Sequence, residues 1–232
     1  MTTYDIHVAI TSQLADNAES QGKNRKHARD IAEEYIEGAF SNVPNDSCSV
    51  TVGSEVYAPQ QEVFSSFETV VPCSDNVNNR KDYPDLSEWW KDHWTECSRD
   101  PSAYDAIILI TNYGDGGGLT IDDKYATVAD GAKMLDVSNG SYQQYKSGEK
   151  YYGPWVLLHE LGHALLKKST SWEHNSGGSF YSNGTYFRSP FAADEAKEGD
   201  GSHYNECGEY VAEWDTNSVA MKWNDCAYEA FY

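Results

Sequence analysis

The chain has 232 residues, 39% of them apolar and 23% charged. That fits one domain of the larger kind with a sizeable core, and no run approaches the ~18 apolar residues of a membrane span. Acidic residues outnumber basic ones 37 to 17, and a net charge of −20 argues against nucleic acid or an anionic membrane as a partner.

The opening "MTTYDIHVAI" alternates apolar and polar residues as a strand does. It has neither the basic nor the apolar region of a signal peptide, so a secreted form is expected to be a mature or trimmed chain. In "NRKHARDIAEEYIEGAF", Ala28, Ile31, Ala32, Tyr35, Ile36 and Ala39 fall on one helical stripe. "SCSVTVGSEVYA" and "VFSSFETVVP" read as strands, rich in valine and aromatic residues. In "PDLSEWWKDHWTEC", Asp85 can cap a helix and Glu88 can close a capping box, with Leu86, Trp89, Trp90 and Trp94 as the apolar face.

"YDAIILITN" is almost wholly apolar and of strand length, which predicts a central strand buried on both sides. A "GDGGG" turn follows, and "LTIDDKYATVADGAKMLDV" supplies one or two further strands. After a polar loop, Pro154 suits the first turn of the helix "WVLLHELGHALLKK". The next forty residues show little periodicity, which suggests a pin such as a metal or a disulfide. A last helix is expected near the end, with Asn224 as its cap. The order of elements predicts a single α/β (α+β) domain over 1–232. Residues 1–168 form its sheet-and-helix part and 169–232 a loop-rich, irregular part.

Cysteines stand at 48, 73, 97, 207 and 226, with no CxxC pair. Two disulfides, Cys73–Cys97 and Cys207–Cys226, with one free thiol is the preferred reading, although spacing does not fix connectivity. Sequons at Asn45, Asn139 and Asn183 are about as frequent as chance would give. The acidic excess reads as a solvated surface; a salt-adapted surface, or Ca2+ sites in loops such as "DEAKEGDG", are the alternatives.

The stretch that carries chemistry is "LLHELGHALL". Residues i and i+4 of a helix share a face, so His159 and His163 can turn ring nitrogens toward one ion. Glu160 is then placed to act on a water at that ion as general base and later as acid. Zinc lowers the pKa of a bound water from about 16 toward 7. The bland reading is a pair of core histidines hydrogen-bonded to backbone. Two histidines and a glutamate are poor choices on so apolar a helix unless something satisfies them. His7, His27 and His93 read as ordinary strand and helix residues.

With its order of elements, the segment "AIILIT…GGLT…A…G" before "HELGH", the turn "NSVAMKW" and the closing "WNDCAYEAFY", the chain resembles a metzincin-type zinc metallopeptidase of the reprolysin (adamalysin) branch. The resemblance implies a metzincin-like catalytic domain with a mixed twisted sheet and long helices. It implies one catalytic zinc, a methionine turn at Met221, and a substrate lying along an edge strand within "GLTIDDKYATVADGA". Some metzincins carry a tyrosine two residues after that methionine; Trp223 stands there, so no tyrosine is assigned to oxyanion stabilisation.

The chain departs from the family where the third ligand belongs. Leu166 replaces a glycine, and Ser169 replaces the third histidine. The next histidine is His174. Lys167 and Lys168 suit a helix C-terminus, so the helix is expected to reach Lys168, about 7.5 Å beyond His163. Six residues from there to His174 span up to ~20 Å, enough for a return. His174 is therefore the expected third ligand, with His203, Glu206 and Glu209 as competitors, the last two in the manner of gluzincins.

The expected function is a secreted, zinc-dependent endopeptidase, read as a monomer, acting on proteins or peptides. The alternatives are an inactive protease-like binding module, a gluzincin-type peptidase with a carboxylate ligand, and a zinc hydrolase of non-peptide amides.

Overall fold

The computed structural model describes residues 2–44, 46–97, 99–113, 117–166, 179–191, 218–229 and 231. In chain order the first half gives β1 (Thr3–Ile10), α1 (Ser12–Ser20), α2 (His27–Phe40), β2 (Ser47–Val52), β3 (Phe67–Val70), β4 (Arg80–Tyr83), α3 (Leu86–Thr95) and β5 (Ala106–Ile110). There follow β6 (Gly118–Ile121), β7 (Tyr125–Val128), α4 (Gly131–Met134), β8 (Tyr145–Ser147), α5 (Tyr152–Leu165), β9 (Ser179–Ser182), β10 (Thr185–Arg188), β11 (Ser218–Ala220) and α6 (Asp225–Glu229). The fold is mixed α/β, as the order of sequence patterns predicts.

The main sheet runs β2-β1-β5-β7-β6. Its first four strands are parallel and β6 pairs antiparallel to β7, at the edge. Helices cover both faces, which is why the β5 sequence "AIILI" has no polar alternation: all five residues are buried. Ile6, Val8, Ile10, Ile108 and Ile110 belong to a core shared with α1, α2 and α5. Ala9, Ile107 and Leu109 belong to a second core with Leu86, Trp89, Trp90 and Trp94 of α3.

The predicted stripe of α2 is buried at all six positions. Asp85 caps α3, its Oδ1 accepting from Glu88 N at 2.9 Å. Asn224 caps α6 through Oδ1, which accepts from Ala227 N at 3.4 Å. The disulfide Cys73–Cys97 ties the loop after β3 to the end of α3, and Cys48 is a part-buried free thiol. Cys207 and the side chain of Cys226 lie outside the described residues, so the second expected pair does too.

A second sheet runs β8-β11-β10-β9. It joins β8, from before α5, to the β9–β10 hairpin and β11 that follow α5. The described residues beyond 168 thus include regular structure that the sequence pattern does not announce. Among the described residues no helix is long and apolar enough to cross a membrane.

One expectation is corrected. The helix that carries His159 and His163, α5, ends at Leu165 rather than Lys168. Leu166 turns extended (φ −69°, ψ 141°) and forms an antiparallel bridge with Phe231. Both side chains are buried. A buried apolar contact thus outweighs the helix-end preference of two lysines. The chain leaves the helix three residues after His163, without a glycine.

Candidate metal centre

α5 is apolar almost all round and packs Trp155, Val156, Leu157, Leu158, Leu161, Ala164 and Leu165 into the main core. His159, Glu160 and His163 are its polar exceptions. They line a cavity of about 240 Å³ together with Gly118, Leu119, Thr120 and Asp123 from β6 and the turn after it. β6, the last strand of the main sheet among the described residues, thus borders the cavity.

His159 Nε2 and His163 Nε2 approach to 3.0 Å. His159 Nδ1 bonds to the carbonyl oxygen of Pro190. A carbonyl only accepts, so Nδ1 carries the proton and Nε2 carries the lone pair that faces His163. A carbonyl behind a ligating imidazole is the usual outer partner of a metal histidine. Two ligands at ~2.05 Å from a tetrahedral ion stand about 3.3 Å apart, so the pair needs little movement to fit zinc.

The rings are held from below and behind. Phe191 packs against both, at centroid distances of 5.5 Å to His159 and 5.2 Å to His163. Trp155 stacks on His159 at 5.7 Å, and Arg188 lies over Trp155 at 4.3 Å. Gly162 makes room for this floor: a Cβ there would stand 2.2 Å from Phe191 Cζ and 3.0 Å from Trp223 Nε1. Trp223 Nε1 donates to the Leu158 carbonyl at 3.2 Å, which fixes the turn after Met221 to α5. Met221 is fully buried in the same core. Its backbone N donates to Gln144 O at 2.8 Å, and its carbonyl accepts from the Tyr142 hydroxyl at 3.0 Å.

Glu160 is 4% exposed. Burial pushes its carboxyl up to about 7, and the Thr120 hydroxyl, 2.7 Å from Oε2, pulls the other way. Asp130 secures the start of β6, its Oδ2 accepting from Gly117 N at 3.1 Å. Asp123, with φ 48°, is an acidic group on the cavity wall.

The structure therefore brings His159, Glu160 and His163 into one cavity and sets Met221 in the core that supports them. His174, His203, Glu206 and Glu209 lie outside the described residues. Among the described residues no group of three or more His, Cys, Asp and Glu side chains is placed to hold a metal ion. Thr120, Pro190, Phe191, Asp123 and the packing role of Gly162 carry no motif and escape sequence reading. Comparison with models of known protein families gives no match, and comparison with curated proteins gives none.

Proposed function

We propose that this chain is a zinc-dependent endopeptidase. The observation that carries the reading is the pair of Nε2 atoms 3.0 Å apart, beside a buried glutamate, in a cavity bordered by a sheet edge. A third ligand comes from the segment after Leu166. From Leu166 to His174 the chain spans at most about 27 Å. The early helix exit shortens the overshoot beyond His163 to ~3 Å, so the reach to His174 is easier than a helix to Lys168 would allow.

When bound, zinc supplies a Lewis acid that acidifies water and polarises a scissile carbonyl. The rest falls to the chain. β6, at the sheet's edge among the described residues, receives an extended peptide, which aligns the scissile bond along the cavity. Glu160 takes the proton of the attacking water as its oxygen bonds to the carbonyl carbon. It then returns that proton to the leaving amine nitrogen as the C–N bond breaks. The Pro190 carbonyl keeps His159 in the tautomer that leaves Nε2 as donor. The Cys73–Cys97 disulfide favours an oxidising compartment and so a role outside the cell.

The test is Glu160→Gln against the parent chain on casein-like substrates, with zinc content measured in both. Retained zinc with lost cleavage supports the reading. Equal turnover by the two proteins defeats it. A folded, zinc-loaded parent that cleaves nothing in a broad peptide library points to a binding module on a protease-like scaffold.

A further inference from the structure

Gly118 and Thr120 stand two apart on β6, so both face α5. A Cβ on Gly118 would lie 2.4 Å from Glu160 Cγ and 2.8 Å from Cδ. The Glu160 side chain therefore fills the space that a residue with a side chain would occupy at 118. Thr120 Oγ1 lies 2.7 Å from Glu160 Oε2 and 3.0 Å from the Glu160 backbone oxygen. A threonine hydroxyl has a single proton to give, and both of these acceptors belong to the same residue. Whichever it serves, the hydroxyl is bound to the position of Glu160.

Taking Glu160 as the general base, we infer that Thr120 is its positioning residue. Its hydroxyl donates to Oε2, fixes the plane of the carboxyl, and leaves Oε1 for the proton that passes from water to the leaving amine. Gly118 gives the carboxyl stem the room to lie against the strand. The edge strand then does two things at once: its backbone aligns the substrate and its 118/120 face aims the base. A hydroxyl-free side chain of the same volume leaves Oε2 without a buried donor and lets the carboxyl rotate.

The test compares Thr120→Val and Thr120→Ser in the full zinc-loaded chain. The expected result for T120V is unchanged zinc content, KM within about twofold, and kcat lower on the order of 10–100-fold, the worth of one hydrogen bond to a charged group. T120S restores most of the rate. In metal-free protein carrying 13C-labelled glutamate, the Glu160 Cδ resonance, assigned by its loss in E160Q, moves in T120V and returns in T120S. A wild-type kcat in T120V, a loss carried wholly by KM, or an unmoved resonance overturns the inference. Should T120V not fold, T120A provides the hydroxyl-free comparison. The two readings fail separately. Activity in E160Q removes the base itself, whereas an inactive E160Q beside a fully active T120V removes only the role of Thr120.

Discussion

Gly162→Ala is the sharpest probe of how the site is supported. Glycine inside a helix is unfavourable by ~1 kcal/mol, so alanine gains that amount from propensity alone. The added Cβ would stand 2.2 Å and 2.6 Å from Phe191 ring atoms and 3.0 Å from Trp223 Nε1. Both rings are about 1% exposed, so neither can swing into solvent. Overpacking of this kind costs about 1–3 kcal/mol, and a lost Trp223–Leu158 hydrogen bond costs ~1 more. The net expectation is destabilisation of about 1–3 kcal/mol. Because Phe191 also backs both histidine rings, zinc affinity should fall about 10–100-fold. Urea melts in excess chelator read the first effect as a lower midpoint at constant slope. Chelator competition reads the second. An alanine variant as stable as its parent, or more so, with equal zinc affinity would refute the packing argument.

His174→Ala should weaken zinc binding and abolish hydrolysis, whereas His203→Ala should leave both intact; the reverse outcome moves the third ligand. His7 and His93 are each held down to about 4 by burial, with Arg99 adding to the effect. Their folded values lie below the unfolded 6.5, so the unfolded chain binds more protons between those limits. The contribution of this pair to stability should be flat above pH ~6.5 and decline toward pH ~4, by on the order of 3 kcal/mol for each histidine. Replacing His7 with Phe should remove about half of that slope in paired melts, and an unchanged slope would rule His7 out. Cys73 and Cys97 lie 24 apart in sequence, so replacing both with Ser should cost about 3.5 kcal/mol by loop entropy. Calorimetry or denaturant titration checks this, and an unshifted transition would contradict it.

What the sequence determines here is whatever rests on local periodicity or on a neighbour a few residues away. His159 and His163 share a helix face because four residues make about one turn. The buried run of β5, the stripe of α2 and the Asp85 cap of α3 are legible for the same reason. α1 escapes notice because Leu14, Ala15 and Ala18 are its only buried residues. β4 escapes because "RKDY" is mostly exposed and polar. The rest depends on partners far along the chain. Pro190 is 31 residues from His159, and Thr120 is 40 from Glu160. No residue pattern marks such pairs, since the contact exists only once β6 and the strap after β10 have been packed against α5. The end of α5 has the same origin. Two lysines suggest Lys168, but Leu166 gains more by burial against Phe231, and only the tertiary structure brings that ring to it.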